Sequence, residues 1–276
     1  NFDLPITLGS IDTNQHTPNT QQWNINIQHG LADNMVLEIG YTGTKGSHFM
    51  RTQDLNQPLP DPLIAQGRLN ANSVRPYKGW AVINHREQSY ASNYHGLQVG
   101  LNRSFAKGFM FQTAYTWSKA MEALDFLSDT DPELHHVISG IDRPHRFTMS
   151  GIWELPFGRG KAFGTNVHKA VDFALGGWQL QAIWQLQSGP ALGFGNIIYR
   201  GDIHDIVLPR GERTIDRWFN TSAPFEKSAA RQLVANIRTF PVRLTGLRGP
   251  GDDHWDASLS KTFRIGESLR IQARTM

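Results

Sequence analysis

Residues 176–188 read GGWQLQAIWQLQS, and the fold turns on how they are read. From Trp178 onward the even positions are Trp178, Leu180, Ala182, Trp184 and Leu186. The odd positions are Gln179, Gln181, Ile183, Gln185 and Gln187, so only Ile183 breaks the alternation. A helix starting at Trp178 needs apolar residues at 181, 182 and 185, and it meets Gln181 and Gln185. The stretch is a strand with a side-chain period of two. Its polar face is made of uncharged amides rather than the mixed charges and threonines of a water-exposed strand. Its other face carries two tryptophans, which need an apolar neighbour. That neighbour is either the second sheet of a sandwich or lipid. Periodicity alone leaves both open, with the soluble sandwich the commoner arrangement.

Composition narrows the classes. The 276 residues include no cysteine, which excludes a disulfide framework, thiol catalysis and cysteine-ligated metal. The net charge of +3 is scattered, so no nucleic-acid-binding face is implied. Twenty-six glycines, 14 prolines and an aromatic content of 11% suit an all-β protein with many turns. Mean hydropathy is −0.41. No apolar run approaches the ~20 residues of a membrane helix, but a barrel hides its membrane signal in alternation. No signal peptide opens the sequence. It begins in apparent loop and ends inside an apparent strand, and is expected to be a section of something longer.

The same alternation recurs along the chain. After a loop over 1–19, strands are expected at Gln21–Gln28, Met35–Thr42, Tyr94–Phe105, Phe109–Lys119, Arg146–Leu155, Trp178–Ser188 and Trp255–Arg264, with an eighth from Ser268. Tight turns fall at 32–34, 106–108 and 266–267. Long connections run over 43–88, 120–144 and 189–254, with an intermediate one over 156–176 in which 165–175 suits a short helical turn. Short and long connections therefore alternate: one end of the strands is trimmed and the other decorated. Outer-membrane barrels have this asymmetry, with short periplasmic turns and long extracellular loops. The fold expected is all-β: an antiparallel meander of about eight strands forming part of the wall of a large transmembrane barrel.

Six segments carry a family resemblance: QQWNINIQHGLADNMVLEIGYTGTKGSHF (21–49), NYHGLQVGLNRSFAKGFMFQTAYTWSKA (93–120), DRPHRFTMSGIWELPFGRGK (142–161), GGWQLQAIWQLQSGPAL (176–192), RWFNTSAPF (217–225) and RGPGDDHWDASLSKTFRI (248–265). Together, and in this order, they resemble the C-terminal barrel portion of TonB-dependent outer-membrane receptors, in the Oar-like group with an N-terminal carboxypeptidase-regulatory-like domain. Trp153 stands where that family usually has tyrosine, and Pro224 interrupts the Asn-Thr-Ser segment. The resemblance implies a barrel of about 22 strands around a plug. It also implies a Gram-negative outer-membrane location, contact with outer-membrane lipid, and coupling to TonB through an N-terminal region outside this chain. The implied function is uptake of a scarce solute of unknown identity, with no cofactor and no enzymatic step. An Oar-like surface or adhesion barrel, a rim hydrolase and a soluble β-sandwich that binds carbohydrate are the rival readings.

Candidate sites divide by position. Trp23, Tyr41, Trp117, Trp153, Trp178 and Trp184 share strand faces with aliphatic residues and are expected at the membrane interface. Gln179, Gln181, Gln185 and Gln187 are expected to face the lumen. Loop aromatics are the ligand candidates: Trp80, Tyr90, Tyr199 and Trp218, with Tyr77. Asp125, Asp129, Asp131 and Glu133 offer carboxylates to calcium but lack the glycine and spacing of a calcium loop. The adjacent His135 and His136 point opposite ways on a strand, and Asp252-Asp253-His254 suits a turn entering a strand. Neither makes a metal site by itself. Asp142, Arg143, His145 and Arg146 suit a rim network that pins a loop to the barrel. The segment Gly158-Arg159-Gly160-Lys161 lacks phosphate-loop spacing and reads as a turn. Nothing selects a catalytic Ser/His/Asp set.

Overall fold

The computed structural model describes residues 5–59, 61–125, 127, 131, 133–195, 197–228, 231–232, 240–265 and 269–275. Ten strands form one sheet. They are β1 (Ile6–Ile11), β2 (Asn19–Ala32), β3 (Met35–Asp54), β4 (Trp80–Ala106), β5 (Phe109–Asp125), β6 (His135–Ile138), β7 (His145–Glu154), β8 (Trp178–Gln187), β9 (Asp252–Ile265) and β10 (Leu269–Thr275). Three short helices, α1 (Pro62–Ala65), α2 (Ala71–Val74) and α3 (Lys169–Leu175), lie in the connections. The main path runs β10-β9-β8-β7-β5-β4-β3-β2. Every pairing along it is antiparallel, so the eight-strand meander is the one expected. Among the described residues the path does not close, and β2 and β10 each keep one unpaired edge.

Register carries the face assignment from strand to strand. Trp23 sits opposite Gly43, Ile25 opposite Tyr41 and Ile27 opposite Ile39. Tyr41 meets Leu97 and Ile39 meets Val99. Leu97 meets Trp117 and Val99 meets Tyr115. Tyr115 meets Phe147, Phe147 meets Leu186, and Trp184 meets Trp255. Residues directly opposite in an antiparallel pair share a face. One apolar face therefore runs unbroken across the meander. The other face gathers Asn24, Asn26, Glu38, Gln98, Asn102, Gln112, Thr116, Ser150, Gln179, Gln181, Gln185, Gln187 and Ser258.

Nothing packs on the apolar face across its breadth. Ile25 is 62% exposed, Ile27 63%, Trp117 58% and Trp255 60%. The buried hydrophobic side chains belong to the connections, to β6 and to the upper end of β5. A sandwich would put its core between two sheets; here the described residues form one sheet with no core beneath it, so the soluble-sandwich reading fails. The apolar face has the chemistry of a lipid-facing surface, and the amide face that of a water-filled barrel interior.

The strands run longer than the sequence pattern indicates. β3 continues to Asp54 and β4 begins at Trp80, so both ends of the connection expected over 43–88 are strand. Trp80 and Tyr90, expected in that loop, lie on β4. A bilayer needs about 9–11 tilted residues per strand, so β3, β4 and β5 stand above it as a free wall. There the alternation disappears, because both faces meet water or the protein's own loops. Two further strands cover the edges that wall exposes. β6 pairs with β5 beyond the point where β7 starts, and β1, in a segment expected to be loop, pairs parallel with Trp80–Arg86 where β5 has ended. An uncovered edge is a template for aggregation. The turn expected at 266–267, and Ser268, lie outside the described residues.

Lys107 and Gly108, with φ of 51° and 81°, make the two-residue turn between β4 and β5, the geometry that matches strand twist. The segment expected to form a helical turn becomes α3, capped by His168.

Substituting Val99, in the middle of the apolar band, with arginine is expected to cost about 2–4 kcal/mol in a bilayer, whereas Gln98→Arg on the amide face is expected to cost far less. Chemical unfolding from lipid vesicles measures both; equal costs would show that the two faces are wrongly assigned.

Candidate functional site

The interface aromatics separate into two rows on the apolar face. Trp153 and Trp178 lie at the short-turn end, beside Phe109 and Phe263. Trp23, Tyr41, Trp117 and Trp184 lie at the loop end with Tyr115 and Trp255. On β5, Phe109 and Trp117 are eight residues apart, about 26 Å along the strand, a separation on the order of the apolar band between the two aromatic girdles of a membrane barrel.

The rings carry polar partners suited to headgroup depth. Tyr41 Oη lies 2.7 Å from His95 Nδ1, and Tyr115 Oη lies 2.8 Å from His145 Nδ1, each pair stacked. Trp184 stacks on Trp255 at 4.7 Å and donates from Nε1 to Asp253 at 2.8 Å. Gly43 gives Trp23 its seat, since a Cβ there would overlap the indole. At the lower row Lys261 donates to the carbonyls of Ala174 and Gly176 and lies over the rings of Trp178 and Phe263. It thereby satisfies the C-terminal end of α3.

The described residues of the loop over 189–251 are folded. Tyr199, Ile206, Ala223, Phe240, Leu244 and Leu247 form its core, with Phe194, Trp218, Phe219 and Phe225 packed around them. The ligand candidates Tyr199 and Trp218 are therefore inside a lobe. Tyr199 is 8% exposed and donates to the Asp202 carbonyl, and Trp218 Nε1 donates to the Arg248 carbonyl at 2.5 Å. Burial raises the Tyr199 pKa above its ordinary value, with Asp205 and Asp202 adding to the effect. Tyr90 packs against Phe49, and Trp80 opens β4 with its carbonyl accepting from Asn56. The four candidates do not converge. Sequence reading treats loop aromatics as free because it cannot see that a loop of this length builds its own core.

Two ion pairs fasten this lobe to the wall. Asp142, 1% exposed, accepts from Ala120 N at 2.6 Å and from Arg248 at 2.6 Å. Glu122 pairs with Arg243, which also donates to the Ile138 carbonyl at 2.7 Å, and Ser139 donates to Glu122 at 2.7 Å. Desolvation lowers the Arg243 pKa from its ordinary value, but a guanidinium stays charged. The rim network expected around Asp142 exists, with one correction. Asp142 pairs with Arg248 rather than with its neighbours: Arg143 donates to the carbonyls of Gly140 and Asp142, and Arg146 lies on β7.

The connection between β3 and β4 has its own anchor. Asn56 is fully buried and accepts from Tyr77 N, while its amide donates to the carbonyls of Tyr77, Trp80 and Ala81. Arg75 pairs with Asp54 at 2.8 Å. Sequence reading passed over Asn56, since a lone loop asparagine carries no signal.

Among the described residues no group of three histidines or acids is placed to hold a metal. Asp129 lies outside them. His135 and His136 open β6, and His254 lies 3.1 Å from Asp256 within β9. Asp252 and Asp253, expected in a turn, already belong to β9. Arg159 N donates to Asp172 and Lys161 pairs with Glu154, so the Gly158–Lys161 turn is structural.

The wall described by this geometry is that of an outer-membrane barrel. A family model for an outer membrane β-barrel domain matches residues 1–275, and the chain belongs to that family. Its place is the Gram-negative outer membrane. No curated protein matches the chain. Two solved structures resemble it: the outer membrane transporter YddB from Escherichia coli, at 10% identity over 98% of this chain and 30% of that one, TM-score 0.46; and P. aeruginosa FpvA bound to a heterologous ferric pyoverdine, at 11% identity over 92% and 22%, TM-score 0.40. This chain thus spans less than a third of either.

Arg248→Met leaves Asp142 buried without its cation and is expected to loosen the lobe by about 3–5 kcal/mol. Adding Asp142→Asn should recover part of this, since the amide oxygen still accepts from Ala120. Limited proteolysis within 189–251 reports both; unchanged cleavage in Arg248→Met would show that the pair fastens nothing.

Proposed function

We propose that the chain is the C-terminal section of the barrel wall of a TonB-dependent outer-membrane receptor that takes up a scarce solute. The observation that carries this is the open sheet. In lipid every backbone group must be paired within the protein. Among the described residues the outer edges of β2 and β10 are unpaired, and further strands would complete the wall on both sides, as in a large plugged barrel. The six sequence segments support the family, and they resemble the Oar-like group with its carboxypeptidase-regulatory-like domain. TonB would act through an N-terminal region beyond this chain.

On this reading the lobe and the raised wall form one side of the barrel mouth. The amide face lines the path with uncharged donors and acceptors, and solute moves without covalent chemistry. The lobe's ion pairs hold it fixed, so capture relies on a preformed rim. The solute class is left to experiment.

Three strains decide the matter: wild type, one lacking this protein and one lacking TonB. Each is supplied singly with ferric siderophores, cobalamin, glycans or peptides. Uptake of one solute class should be lost equally in both mutants. Normal uptake of all four, with altered adhesion in the strain lacking this protein, would replace the transporter with a surface-organising barrel.

A further inference from the structure

At its loop end the apolar face is overhung by the protein's own loops. A groove of about 460 Å³ lies where the raised wall meets the lobe. Its floor is Leu97 and Trp117, with Tyr41 and His95 at the side. Ile138, Pro144, Thr245 and Arg248 come from the loops that overhang it. Lys119 lies at its upper end, one step above the Leu97–Trp117 pair and opposite His95.

Three features of this groove point to one class of occupant. It lies on the lipid side, since Tyr41, Leu97 and Trp117 belong to the apolar face. It begins at the loop-end aromatic row, which is headgroup depth. Its charge is one-sided. Arg248 is neutralised by Asp142, but Lys119 is exposed and makes no ion pair or hydrogen bond with a described residue. Lys45, also exposed and likewise without such a partner, is the next cation on the same face. An apolar floor below and uncompensated cations above fit an amphiphile with an acyl chain and an anionic head.

We infer that this groove holds an acyl chain of a phosphorylated lipid of the outer leaflet, with the phosphate against Lys119 and Lys45. Long loops face outward in this class of barrel, which sets the leaflet. The overhang distinguishes the groove from the open parts of the apolar face: a chain there is covered by protein on its outer side, and exchanges more slowly than lipid on those open parts. The inference rests on outer-membrane placement and holds whether or not the protein takes up a solute.

The test uses the protein purified from outer membranes in mild detergent and stripped of lipid by exchange. Phosphorylated lipid A and its dephosphorylated form are the probes, and native mass spectrometry reads the bound fraction. The phosphorylated form should be retained in preference. Lys119→Gln should lower its retention about fivefold, the effect of one lysine near an anionic surface. Leu97→Trp, which fills the groove, should lower retention of both forms, and Lys107→Gln at the opposite end of the sheet should change nothing. Heat-modifiable gel migration shows which variants assemble; if Leu97→Trp does not, Lys119→Gln decides alone. Equal retention of the two forms by wild type, or wild-type preference in Lys119→Gln, would overturn the assignment.

Discussion

A bilayer offers the backbone no hydrogen-bond partner, and the rest of this structure follows from that. A strand crossing lipid must pair on both sides, so the wall is a continuous antiparallel meander rather than a stack of layers. A single layer has no core, so each residue of the spanning stretch meets either lipid or the interior. The side-chain period of two then becomes a division between two solvents. Trp178, Leu180 and Trp184 share one face of the sheet, and Gln179, Gln181 and Gln185 the other. The protein keeps its conventional hydrophobic core for where water returns, in the lobe around Ile206 and Leu247.

Above the membrane the constraint changes. Backbone groups on β3, β4 and β5 can pair with water, yet an exposed edge invites unwanted strands. β1 and β6 occupy those edges, each where its neighbour on the main path stops. The loops are held by charge as well as by packing. Asp142 and Glu122 are buried acids whose cations, Arg248 and Arg243, come from the far end of the 189–251 connection. Closing so long a loop costs entropy that grows only slowly with its length. A few well-desolvated pairs and a small apolar core are enough to fix it.

The wall was legible in the sequence because period two is a local signal, and the lipid face keeps it strictly. Eight strands, their tight turns and the sorting of short and long connections all follow from it. What was illegible lies where no membrane enforces alternation. The stretch from Gly43 to Asp54 reads as loop because Gly43, Lys45 and Gly46 open a segment rich in Pro, Asn and Gly, yet it continues β3. Ile6–Ile11 and His135–Ile138 are too short to signal strand alone and exist through their partners on β4 and β5. The rim pair was half visible. Asp142 stood out, but its partner is 106 residues away, and the nearby Arg143 and Arg146 looked the better choice. Tyr199 and Trp218 looked like free loop aromatics because sequence gives no measure of burial inside a connection.

On β8, alternate residues should meet lipid and barrel interior. The chain has no cysteine, so single cysteines can be placed one at a time from 178 to 187 in outer membranes and treated with a charged maleimide. The account predicts labelling that alternates residue by residue. Positions 179, 181, 183, 185 and 187 react, and 178, 180, 182, 184 and 186 are protected until detergent is added. Uniform labelling, or protection on the glutamine positions instead, would contradict it.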